Sequence, residues 1–107
     1  MSKRPPKFFR QFVQEQPEVA KAYEALGEAV RQGPLSEREV ALVKLALSLG
    51  ARLEGGAHAH ARKALAAGVE PAALEQVALL AIPTLGFPCA MAGRAWIRET
   101  IEEHEKG

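Results

Sequence analysis

The sequence predicts an all-α fold, a single-domain bundle of about six helices. Its 107 residues are the length of one domain. Apolar residues recur every three or four positions in several segments separated by Gly or Pro, which is the helical period. No segment alternates β-branched and polar residues as a strand would. The many alanines also favour closely packed helices.

Residues 1–16 are predicted to form an N-terminal arm with a short helix, and residues 17–107 to form the helical domain. The arm contains a basic cluster and three phenylalanines. The formal net charge is only +1, and the basic and aromatic residues do not continue together beyond the arm. We therefore interpret the basic cluster as a solvated surface, expect the phenylalanines to dock the arm, and expect no nucleic-acid partner. The residues are Lys3, Arg4, Lys7 and Arg10, with Phe8, Phe9 and Phe12.

The first helix of the domain is predicted from about Pro17 to Arg31, since Pro is tolerated in a first turn and Gly33-Pro34 ends the helix. The next helix begins at Ser36. Ser-Glu-Arg-Glu is a capping box, in which the Ser36 hydroxyl accepts from the N–H of Glu39 while the Glu39 carboxylate accepts from the N–H of Ser36. This helix has apolar residues at helical spacing and is expected to run to about Gly50.

Three helices are predicted in the second half. One starts near Gly55-Gly56 and ends at Gly68, which suits the left-handed position after a helix. Another starts at Pro71 and runs to Pro83. A loop over 84–88 and a last helix from about Pro88 to Glu105 complete the prediction.

Four segments between roughly Pro34 and Trp96 carry a resemblance to a known family. They are S-E-R-E-V-A-L, H-A-R-K-A-L-A-A-G-V, P-A-A-L-E-Q-V-A-L-L-A and L-G-F-P-C-A-M-A-G-R-A. The chain resembles the carboxymuconolactone decarboxylase family, which includes the alkylhydroperoxidase D-like proteins. The resemblance implies a small all-helical fold and a homotrimer or homohexamer.

Peroxidase-type members of that family use a Cys-x-x-Cys pair ahead of a histidine, and this chain departs from them. When His60 is aligned with the family histidine, Leu53 and Gly56 occupy the two cysteine positions. The chain has a single cysteine, Cys89, so it has no intrachain disulfide. We therefore do not expect disulfide-based peroxidase activity.

Acid/base chemistry is the alternative that the resemblance offers. Decarboxylase-type members have Glu-x-x-x-His, which Glu54 and His58 match, and a carboxylate beside an imidazole is a general acid/base arrangement. His60 is the competing histidine, because the downstream alignment favours it. Residues two apart on a helix differ by about 200°, so His58 and His60 should not share one site. Either could also be an exposed or interface histidine, and the choice stays open.

Three more catalytic or binding roles follow from the resemblance. Glu39 occupies the position of the family's relay carboxylate, although its place in a capping box already explains it. Arg62 and Phe87 are the candidate substrate-binding residues. Arg52, Arg62 and Arg94 could each hold a substrate carboxylate or form an ordinary ion pair.

Cys89 is a possible reactive thiol, because it follows Pro88 at a predicted helix start where a thiolate is stabilised. A small buried apolar cysteine is the competing interpretation. A metal site from Glu54, His58 and His60 ranks lower still, since the two rings diverge on a helix. We expect no metal and no organic cofactor.

The sequence therefore predicts a cytoplasmic protein with no membrane partner, because it has no long apolar run and no signal-peptide pattern. Its function is predicted as acid/base decarboxylation or isomerisation of a small carboxylate or lactone. The alternatives are an alkylhydroperoxidase-like antioxidant protein that uses Cys89 and a non-catalytic oligomeric protein.

Overall fold

The structure, a computed structural model, describes residues 6–107 and confirms the all-α class. Lys3 and Arg4 of the predicted basic cluster lie outside the described residues. The described range contains six α-helices and no strand. They are α1 (Lys7–Glu15), α2 (Pro17–Val30), α3 (Glu37–Gly50), α4 (Glu54–Ala66), α5 (Pro71–Leu85) and α6 (Phe87–Lys106).

The core lies among α3, α4, α5 and α6. Its largest fully buried side chains are Leu45 and Leu49 of α3, Leu74 of α5 and Ile97 of α6. Helix α4 contributes mainly small side chains, the buried alanines Ala57, Ala61 and Ala64. Small side chains allow α4 to pack close to both α3 and α6, and this places α4 at the centre of the candidate sites.

Helices α3 and α6 approach each other at Gly93. A Cβ atom at this position would lie 2.6 Å from Cδ2 of Leu49. Real Cβ atoms do not tolerate that distance, so the contact requires glycine.

The predicted loop over 84–88 is wrong. Helix α5 continues through Pro83 to Leu85, and α6 already begins at Phe87. Pro83 removes one backbone donor but lies in the last turn, where the helix is about to end. Gly86, with φ of 102°, makes the reversal alone, because glycine adopts positive φ without steric cost.

Helices α1 and α2 pack against each other and bury none of their own side chains. Several of their large apolar residues are strongly exposed, including Phe8 at 82% and Tyr23 at 66%. The phenylalanines predicted to dock the arm therefore remain partly or largely solvent-exposed in the single chain. Among the described residues, no helix has the length and apolar character needed to cross a bilayer.

Candidate functional site

His58 connects α4 to α6 through one well-defined hydrogen bond. Its Nδ1 lies 2.8 Å from Oγ1 of Thr100, a residue that is 2% exposed. The Thr100 hydroxyl donates its own proton to the carbonyl of Trp96 at 3.0 Å. Since a hydroxyl has one proton, its oxygen is left to accept, and Nδ1 of His58 must donate. When the ring is neutral, Thr100 therefore selects the tautomer with the proton on Nδ1 and the lone pair on Nε2.

Nε2 of His58 faces two carboxylates. Oε2 of Glu54 lies 3.8 Å away and Oε1 of Glu99 lies 3.7 Å away, both within ion-pair distance but beyond a hydrogen bond. Both carboxylates are mostly exposed, whereas the His58 side chain is only 14% exposed. The structure thus brings the predicted Glu54 and His58 together and adds Glu99 and Thr100.

His60 lies in a different set of contacts, as expected for two helical residues two apart. It lines a cavity of about 470 Å³ formed by the 31–35 segment that follows α2, the first half of α3 and the second half of α4. Three cations line the same cavity and none has an ion-pair partner within residues 6–107, whereas Glu37 is the single acidic residue of the lining. The cations are Arg31, Lys44 and Lys63.

Burial and the neighbouring cations both lower the pKa values of His60 and Lys63. Burial lowers the pKa of His60, and the positive charges of Lys63 and Lys44 lower it further. Burial likewise lowers the pKa of Lys63, with additional lowering by Lys44, Arg62 and Arg31. Both shifts have the sign expected for cationic acids that lose hydration and meet like charges. At neutral pH, His60 is therefore held as a neutral imidazole.

A second cavity, of about 480 Å³, lies between α3 and α5. Its lining is mainly apolar, and its one charged residue, Arg38, is paired with Glu70. It contains no histidine, carboxylate or free amine that could exchange a proton. The His60 cavity is therefore the better candidate for acid/base chemistry.

Glu39 lies in the capping box that the sequence predicts, which is confirmed. Its Oε1 accepts from the Ser36 N–H at 2.8 Å, and its own N–H donates to Ser36 Oγ at 3.1 Å. The backbone hydrogen bond from Ser36 is the main reason that the pKa of Glu39 lies below its usual value. Its contacts are with the cap and not with His58 or the His60 cavity, and its relay role stays a prediction.

The arginine candidates are spread over the surface. Arg94 is within 3.6 Å of Glu75, and Arg52 adopts φ of 59° at the turn before α4. Arg62 is half-buried on α4, and its positive charge contributes to the lowered pKa of Lys63. Phe87, the first residue of α6, is 61% exposed. A substrate-binding role for Arg62 or Phe87 stays a prediction.

Cys89 lies in the first turn of α6 and is half-buried. Its thiol donates to the carbonyl of Leu49 at 3.6 Å. A reactive role for Cys89 stays a prediction.

Sequence reasoning missed Glu99, Thr100, Lys44, Lys63 and Arg31. Only Lys63 had a local signal, because it lies one helical turn after His60. Arg31 follows α2 and the others come from α3 and α6, all remote in the sequence from α4. Across residues 6–107, no three His, Cys, Asp or Glu side chains are grouped so as to hold a metal ion.

A comparison with known families matches most of the chain. The model described as the carboxymuconolactone decarboxylase family matches residues 17–99. The chain therefore belongs to the carboxymuconolactone decarboxylase family. No curated protein and no solved structure matches it significantly.

Proposed function

We propose that this member of the carboxymuconolactone decarboxylase family performs acid/base chemistry on a small carboxylate or lactone in the cavity beside His60, as a decarboxylation or an isomerisation. One observation carries the proposal: a titratable imidazole and three cations without ion-pair partners in the described residues line the same cavity. Enzymatic proton transfer needs such a group beside a site that can hold the substrate.

The cations supply binding and charge stabilisation. Lys44, Lys63 and Arg31 together outnumber the single carboxylate of Glu37, so the cavity attracts a small anion. The same charges favour the negative charge that develops on a carbonyl oxygen when a neighbouring carbon loses a proton or carbon dioxide.

His60 supplies the base. A general base must be unprotonated at the working pH, and the lowered pKa of His60 satisfies that condition. The neutral ring accepts a proton from carbon or oxygen of the substrate, and the resulting imidazolium returns it at another position. Net transfer between two positions is an isomerisation, and return to the carbon that has lost carbon dioxide completes a decarboxylation.

His58 is a second candidate base, favoured by its fixed tautomer and the two carboxylates near Nε2. Two carboxylates would repel an anionic substrate. This arrangement therefore suits a neutral lactone better than a carboxylate. The two histidines thus predict different substrate charges, which one experiment can separate.

The test is deuterium incorporation from D₂O, followed by proton NMR, at the acidic C–H of small keto acids and of neutral lactones. Wild type, His60→Gln and His58→Gln are compared, with oligomeric state and helical content as controls. We expect wild-type exchange into a keto acid to be lost in His60→Gln and retained in His58→Gln. The opposite pattern would move the function to His58. Wild-type exchange no faster than in protein-free buffer, for every compound, would contradict the proposal.

The partner expected from the resemblance is the chain itself, as a homotrimer or homohexamer. Two features of the single chain support self-association: α1 and α2 bury no side chain, and the groove between α3 and α5 is apolar. Exposed apolar surface of this kind marks interaction sites. A net charge of +1 offers little electrostatic opposition to association.

A further inference from the structure

The His60 cavity contains a primary amine, Lys63, whose charge the proposed function uses but whose nucleophilic lone pair it does not. Lys63 lines the cavity one helical turn from His60, and Lys44 of α3 lines it as well. We infer that Lys63 is a nucleophile that forms an imine with a small keto acid bound in this cavity. This inference rests on the proposed function, because it assigns the substrate class of the same site.

The surroundings of Lys63 are those of an activated amine. An enzymatic lysine becomes nucleophilic when it is desolvated or placed beside another cation, since either condition favours the unprotonated amine. Lys63 meets the second condition fully and the first only in part: partial desolvation is the largest cause of its lowered pKa, followed by Lys44, Arg62 and Arg31, while the residue as a whole stays exposed at the mouth of the cavity. No carboxylate in the described part of the chain forms an ion pair with it. Glu37 also lines the cavity, and its negative charge would oppose the lowering of the Lys63 pKa.

The other lining residues determine which carbonyl compound fits. A keto acid presents a carboxylate and a carbonyl carbon at neighbouring positions. Lys44 and Arg31 can bind the carboxylate while Lys63 reaches the carbonyl. A simple aldehyde would react with Lys63 but would gain nothing from the two cations.

The step balances with groups already named. The Nζ lone pair of neutral Lys63 forms a bond to the carbonyl carbon, and the C=O π electrons move to oxygen, which takes up a proton from solvent water in the open cavity. His60, after accepting a proton from Nζ, returns it to the hydroxyl of this carbinolamine, and water leaves as the C=N bond forms. The protonated imine then accepts the electron pair released when a C–H bond on the adjacent carbon breaks, which links it to isomerisation. Loss of carbon dioxide by the same route requires a carboxylate on that adjacent carbon, as in a β-keto acid.

The experiment is reductive trapping with sodium cyanoborohydride. The full-length protein is incubated with pyruvate or with acetaldehyde, which lacks the carboxylate, and the labelled lysine is located by peptide mass spectrometry. Lys21, on the exposed surface of α2, serves as the internal reference. We expect pyruvate to label Lys63 in preference to Lys21 and Lys63→Arg to lose the preferential label.

Lys44→Met separates binding from activation. It should slow labelling of Lys63 by acetaldehyde, because the Lys63 pKa rises when a neighbouring cation is removed. It should slow labelling by pyruvate further, because a carboxylate contact is lost as well. Lys21→Met is the matched control and should change neither rate.

Equal labelling of Lys63 and Lys21 in the folded wild type would overturn the inference. So would labelling of Lys44 in place of Lys63. Neither outcome would contradict the proposed function if deuterium exchange still depends on His60. Loss of His60-dependent exchange with Lys63 still labelled would instead remove the proposed function and leave a reactive lysine.

Discussion

Thr100→Val tests whether Thr100 holds His58 in place. Valine has nearly the shape of threonine but cannot accept the hydrogen bond from Nδ1 of His58, 2.8 Å away in the wild type. Thr100 is 2% exposed and the His58 side chain is 14% exposed. Little water can therefore replace the lost partner. The second hydrogen bond of Thr100, to the Trp96 carbonyl, is a local bond to the preceding helical turn.

The expected loss is that of one buried donor left without an acceptor, about 1–3 kcal/mol in the free energy of unfolding. For a domain of 107 residues, the unfolding entropy of about 2.1 cal/mol/K per residue converts this to a fall in Tm of roughly 4–13 °C. Thermal unfolding followed by circular dichroism measures the change.

The matched control is Thr84→Val. Thr84 makes the same hydroxyl contact to the preceding turn, with the Leu80 carbonyl at 3.1 Å, but it is exposed and has no histidine partner. Equal Tm changes in the two variants would refute the reasoning, because only Thr100→Val removes a hydrogen bond to His58. Nitrogen-15 NMR of the ring adds an independent readout. The proton should be on Nδ1 in the wild type and should lose this preference in Thr100→Val.

Three further predictions concern the cavity, the core and assembly. Acetate should bind more tightly as pH falls through the lowered pKa of His60, because the imidazolium adds a positive charge to the cavity. The affinity is measured by calorimetric titration at several pH values. His60→Gln should remove this pH dependence. A pH dependence that survives in His60→Gln would contradict it. Gly93→Ala should lower the free energy of unfolding, measured with denaturant, by about 1–3 kcal/mol, because its Cβ would lie 2.6 Å from Leu49. Gly55→Ala is the control and should not lower it, because a Cβ there has no neighbour within 4 Å. Equal stability of these two variants would argue against close packing of α3 on α6. Tyr23→Glu, on the exposed face of α2, should reduce the mass of the oligomer measured by light scattering, whereas Lys21→Glu should not. A wild-type protein with the mass of a monomer would exclude the expected trimer or hexamer.

The positions of the helices were predictable because their signals are local. The Ser36–Glu39 capping box, Pro17 and Pro71 in first turns, and Gly68 after α4 all depend on neighbouring residues. The error at 84–88 came from the same local reasoning. Pro83 is a local signal for a helix end, whereas the chain needs only Gly86 to reverse direction.

Composition and helical period are sufficient to predict the helical class, the absence of a Cys-x-x-Cys pair and the divergence of His58 and His60 around α4. The contacts of each histidine depend on the tertiary structure. Packing of α6 against α4 brings Thr100 and Glu99 to His58, and α3 with the segment after α2 brings Lys44 and Arg31 to the His60 cavity. These partners come from elements distant in the chain, so their contacts depend on how the helices pack and leave no periodic signal in the sequence.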